Sequence, residues 1–116
     1  MNDKLANEQN CIFCRIVLGE IPGDIVHDDG EVVAFKDVNP QAPTHLLVIP
    51  RRHVKGVADL DDQSLMGKLF MVAAQQGALL EKGFRLVVNN GPEGGQQVDH
   101  LHVHVLGGRQ LSWPPG

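Results

Sequence analysis

The chain has 116 residues, 42% apolar and 21% charged, with a formal net charge of -4 at pH 7. Such a chain builds one globular domain with a real core, which excludes wholesale disorder. Lys and Arg are scattered, the longest basic run being Arg51-Arg52, so neither a nucleic-acid surface nor a polybasic membrane patch is expected.

Residues 1–10, MNDKLANEQN, are polar and read as a disordered N-terminal tail. They contain no apolar signal segment, and no run approaches the ~20 apolar residues needed to span a bilayer, so the expected location is the cytoplasm. From Cys11 to Glu20, the apolar residues Ile12, Phe13, Ile16 and Val17 fall at helical intervals, and Gly19 and Pro22 end the segment. DIVHDD (24–29) and EVVAFKD (31–37) are β-branched runs around a DDG turn and predict a hairpin. His27 reads there as an ordinary strand residue. VNPQAPT (38–44) is a loop, because its two prolines suit neither a helix interior nor a central strand. HLLVIP (45–50) is almost wholly apolar and predicts a strand buried on both faces.

The clearest helix spans residues 59–83. Leu65, Leu69, Val72 and Ala73 form a stripe continued by Gln76 and Leu80, Asp61 or Asp62 caps its start, and Gly83 closes its end. FRLVVNN (84–90) predicts a strand, GPEGGQQ (91–97) a glycine-rich loop, and VDHLHVHVL (98–106) a strand of strict alternation. Together these give an α+β domain over residues 11–116, with five strands in a mainly antiparallel sheet, one short helix and one long one.

Three of the six histidines lie in HLHVH, residues 100–104. In a strand, His100, His102 and His104 project to one side, and Leu101, Val103 and Val105 pack on the other. The outer two Cα atoms are then ~13 Å apart, far for a single ion whose bonds to nitrogen are ~2.0–2.1 Å. A division of labour among the three imidazoles fits better. Cys11 and Cys14 are too close in sequence to staple much of the chain, and C-x-x-C is compatible with metal binding or redox chemistry.

The run HLHVHVL resembles the signature of the histidine triad (HIT) superfamily of nucleotide-binding hydrolases and transferases. DVNPQAPTHLLVIPRRH (37–53), RLVVNNGPEGGQQV (85–98) and LGGRQLSWPPG (106–116) are similar to its Hint branch, the purine nucleoside phosphoramidases. The resemblance implies hydrolysis of purine nucleoside 5′-phosphoramidates and acyl-adenylates, with no catalytic metal. His102 would be the nucleophile forming a nucleotidyl-histidine, with His104 and His45 assisting it. Asp37 would grip the ribose hydroxyls of an AMP or GMP derivative, and Val38 would pack on base or sugar. Asn89, Gly95, Gln96 and Gln97 would contact the phosphate. Taken alone, Asp37 also reads as a turn cap before Pro40. One departure is Gln97, where many Hint proteins have serine; glutamine still donates a hydrogen bond, from a longer side chain.

The same resemblance implies a structural zinc held by Cys11, Cys14, His53 and His100. It also implies a homodimer whose sheet continues across the interface, with the tail around Trp113 near the partner's site. The alternatives are a HIT hydrolase of dinucleoside polyphosphates, a non-catalytic nucleotide- or zinc-binding regulator, and a redox role for CIFC.

Overall fold

The computed structural model describes residues 10–116; the expected disorder of the tail lies, for residues 1–9, outside them. In chain order the elements are α1 (Ile12–Val17), β1 (Ile25–Asp28), β2 (Val32–Lys36), β3 (Thr44–Pro50), a 3-10 turn (Val57–Asp59), α2 (Gln63–Gly77), β4 (Phe84–Val87) and β5 (Val103–Gly107). The five strands form one antiparallel sheet in the order β1-β2-β3-β5-β4. The α+β architecture expected from the sequence is therefore the one observed.

The period of two in β2 and β3 splits the core into two layers. Val32, Ala34, Leu46 and Val48 face α2 and meet Leu65, Leu69, Val72 and Ala73. Val33, Phe35, Leu47 and Ile49 face the other way and meet Phe13, Cys14, Ile16 and Val17 around α1. Both faces of β3 are thus covered, which is why HLLVIP has no polar alternation after His45. Wholly buried side chains such as Leu69 and Ile49 each contribute about 1.5–3 kcal/mol. Asp62 caps α2 by accepting from Leu65 N–H at 3.0 Å.

Several boundaries differ from the sequence expectation. The short helix ends at Val17, not Glu20, and Ile12 is about half exposed instead of joining its buried face. The long helix starts at Gln63 and ends at Gly77. There it tightens into turns, with Leu79 and Leu80 N–H donating to the Gln76 and Gly77 carbonyls, and the Phe84 ring occupies the space a side chain at residue 77 would need. Gly83, at φ +102, then reverses the chain into β4. That strand stops at Val87, short of the expected Asn90, whose side chain instead accepts from Ala58 N–H.

Strand β5 starts at Val103 instead of residue 98. Upstream of it, among the described residues, no neighbouring strand pairs with the chain; Leu101 N–H donates to the Val54 carbonyl at 2.7 Å instead. The alternation nevertheless persists through the unpaired stretch. Leu101, Val103 and Val105 lie in the α2 layer, and His100 and His102 are buried.

Candidate active site and metal-ligand cluster

The histidines of residues 100–104 lead into two separate groups, and the partner of each ring nitrogen assigns its proton. His100 is fully buried. Its Nε2–H donates to the Pro50 carbonyl at 2.8 Å, which leaves a lone pair on Nδ1. That Nδ1 lies 3.3 Å from Cys11 Sγ and 3.5 Å from Cys14 Sγ, while His53 Nδ1 lies 3.3 Å from Cys14 Sγ. Burial pushes the His100 pKa down to about 4 against the pull of the Pro50 carbonyl, with His53 and His102 adding to the depression. The imidazole is therefore neutral and able to ligate.

Cys11 sits at the cap of α1 and accepts from Cys14 N–H at 3.3 Å, so the helix start sets the spacing of the two sulfurs. The four ligand atoms of Cys11, Cys14, His53 and His100 lie within 4.8 Å of one another. A tetrahedral zinc with Zn–S of ~2.3 Å and Zn–N of ~2.0–2.1 Å separates its S and N ligands by about 3.5 Å. The donor set and its spacing fit that ion.

The second group comprises Asp37, His45 and His104, whose ligand atoms also fall within 4.8 Å. Here the protons are arranged differently. Gln41 N–H donates to His45 Nδ1 at 3.0 Å, so the proton of the neutral ring is on Nε2. His45 Nε2–H donates to His104 Nδ1 at 2.8 Å, which puts the His104 proton on its own Nε2. Asp37 Oδ2 lies 3.4 Å from His45 Nε2. The nitrogen of His45 that faces this group thus carries a proton and offers a metal no lone pair. The arrangement is a hydrogen-bonded chain of the kind that can relay a proton.

Between the two groups lies His102. Its Nδ1–H donates to the His100 carbonyl at 2.7 Å, leaving Nε2 with an in-plane lone pair. The Phe13 ring packs edge-on against it, with centroids 5.2 Å apart and planes at 90°. Burial lowers the pKa of His45, His102 and His104, that of His104 to about 4 with further depression from His102 and His45. Asp37 pulls all three the other way, too weakly to reverse the shift.

Asp37 is both the turn cap and a neighbour of the relay, since its Oδ1 accepts from Asn39 N–H at 2.9 Å. Val38 beside it is 94% exposed, an apolar surface available to a planar group. Asn89 points its amide toward Gly95, whose φ of +86 requires glycine. Gln96 holds the loop together: its amide donates to the Lys55 and Val98 carbonyls, and its oxygen accepts from Gly91 N–H. Gln97 is exposed and lines a cavity of about 430 Å³ with Cys11 and His53. A larger cavity, about 790 Å³, lies between the end of α2 and the C-terminal tail and includes no histidine. Phe13 and Gln41 were not singled out as site residues by sequence reasoning. Phe13 reads there as helix core, and Gln41 acts through its backbone.

The HIT domain matches residues 18–111 of the chain. The chain belongs to the HIT domain family. It is 49% identical over 114 residues to an uncharacterized HIT-like protein of Synechococcus elongatus, covering 93% of this chain and 98% of that protein. A 14 kDa zinc-binding protein of Zea mays is 48% identical over 113 residues, covering 90% of this chain and 87% of its own length. The crystal structure of a HIT family hydrolase from Legionella pneumophila superposes with a TM-score of 0.86 at 48% identity, covering 92% of this chain and 100% of that one. Among the described residues of this HIT protein, no helix is long and apolar enough to cross a membrane.

Proposed function

We propose that this HIT protein is of the Hint type and hydrolyses purine nucleoside 5′-phosphoramidates and acyl-adenylates through a nucleotidyl-histidine. The observation that carries this reading is the 2.7 Å bond from His102 Nδ1–H to the His100 carbonyl, which leaves a nucleophilic lone pair on Nε2. His102 Nε2 attacks the α-phosphorus, a P–N bond to the ring forms, and the P–N bond to the leaving amine breaks. The amine takes the Nε2 proton of His104, and the negative charge this leaves on the His45–His104 pair is balanced by the positive charge the His102 ring gains on bonding to phosphorus. Water then attacks phosphorus, the bond to His102 breaks, and AMP or GMP departs as a proton returns to the relay. Asp37 and Val38 hold the nucleoside; Asn89 and the Gly95–Gln97 backbone approach the phosphate.

Cys11, Cys14, His53 and His100 would hold a zinc whose chemistry is structural, since all four positions are filled by protein ligands. A 14 kDa zinc-binding protein among the relatives supports that reading. We also place the protein in the cytoplasm, where thiols stay reduced. There it acts as a homodimer joined along β4, an edge strand that begins at the exposed Phe84.

The deciding experiment is AMP release from adenosine 5′-phosphoramidate in EDTA. Wild type is expected to turn over, and His102→Ala to lose ~10³-fold or more in kcat. Binding of AMP by both proteins without any turnover by wild type would overturn the catalytic reading in favour of a regulator.

A further inference from the structure

The relay depends on one backbone N–H, that of Gln41, in a loop that contributes little to its own rigidity. Pro40 and Pro43 have no N–H to donate. Within the loop, the Asp37 turn and a bond from the Gln41 amide to the Asn39 carbonyl supply local order. Among the described residues, the hydrogen bonds that reach residues 38–43 from outside 37–45 come from Arg109, 68 positions away. Its Nε and Nη2 both donate to the Gln41 carbonyl, at 3.2 and 2.9 Å. Gly108 delivers it there: at φ +91 the chain turns, and it lies so close to Pro43 that a side chain at 108 would collide with that ring.

We infer that Arg109 is a positioning residue, whose clamp on the Gln41 carbonyl holds Gln41 N–H against His45 and thereby keeps the His45 proton on the nitrogen that faces His104. The sequence of contacts is continuous: Arg109 to the Gln41 carbonyl, Gln41 N–H to His45 Nδ1, His45 Nε2–H to His104 Nδ1. A planar fork suits this task because two donors fix the orientation of the carbonyl, whereas one donor fixes only its distance. The catalytic consequence rests on the hydrolase reading above, because it assigns the His104 proton to the leaving amine. The tautomeric consequence does not depend on it.

Both are tested in the full chain by ¹⁵N NMR of labelled histidines at a pH where all are neutral, alongside phosphoramidate kinetics. Wild type is expected to show His45 as a single Nε2–H tautomer. In Arg109→Ala its two nitrogen shifts move toward each other as the tautomers mix, and kcat falls roughly 10- to 100-fold with a smaller change in KM. Arg109→Lys, which keeps the charge without the fork, lies between the two and serves alone if the alanine variant does not fold. Trp113→Ala loosens the tail at its contact with Arg85 and is expected to leave the His45 tautomer intact. A single Nε2–H tautomer in Arg109→Ala overturns the inference whatever the rate does. Tautomer mixing in a protein that cleaves no phosphoramidate supports the clamp and overturns the hydrolase reading instead.

Discussion

The Cys11–Cys14–His53–His100 cluster and the Asp37–His45–His104 cluster lie at the two ends of the same five-residue run and contain the same ring type, yet they are built for different chemistry. At the first, a backbone carbonyl takes the outer proton of His100, so the lone pair faces two sulfurs. At the second, a backbone N–H meets the outer nitrogen of His45, so the proton faces inward. Whether a ring presents a lone pair or a proton to its cluster is set by the backbone group behind it. His102 sits between them and donates to the His100 carbonyl, so His100 supplies a ring nitrogen to the sulfur cluster and a backbone oxygen to the next imidazole.

The sharpest way to break that comparison is to disable one end and read the other. Cys14→Ser is expected to abolish stoichiometric zinc, measured by plasma mass spectrometry. It should cost about 3 kcal/mol or more, since Cys14 is fully buried among donors. That corresponds to a Tm lower by on the order of 10–20 °C in a thermal melt. The kcat of the folded fraction should fall far less than in His102→Ala. Equal losses in both quantities would mean that the metal cluster controls the lone pair of His102 directly.

The complementary change, His45→Ala, is expected to lower kcat by roughly 10²-fold, about 2.7 kcal/mol of transition-state stabilisation. Zinc content should be unchanged, because His45 touches no member of the sulfur cluster in the observed hydrogen bonding. Loss of zinc in this variant would show that the two groups are one site.

Which residues face which way was legible in the sequence, because period-two alternation survives even where pairing does not. Residues 100–102 join no ladder, yet His100 and Leu101 still go to opposite layers. The division of labour also followed from spacing alone, since a rise of ~3.3 Å per residue keeps the outer rings apart. Element ends were less legible. Gly77, the last residue of α2, leaves room for a ring from β4, and that contact is tertiary. Gln96 illustrates the other limit: its residue type suits a phosphate ligand, but its side chain is bonded to the backbone of Gly91, Val98 and the distant Lys55. Gln41 acts through its own backbone N–H and carbonyl, the latter held by the Arg109 guanidinium, so no pattern of side chains marks the pair.

The smallest expected effect concerns acid, and it separates the relay from the rest of the protein. Burial, with His102 and His45 nearby, lowers the pKa of His104 from 6.5 to about 4. On acidification the unfolded chain therefore takes up this proton first, and between those two values it binds more protons than the folded chain. Stability then rises with pH across the window and is lost as pH falls from 6.5 toward 4. His104→Gln removes the titrating group while keeping a donor and an acceptor. Its Tm should consequently fall less steeply than that of wild type over the same interval, in melts taken at matched ionic strength. Parallel curves would mean that His104 is held neutral no more firmly when folded than when unfolded, and that the acid limb of stability belongs to His100 and the carboxylates.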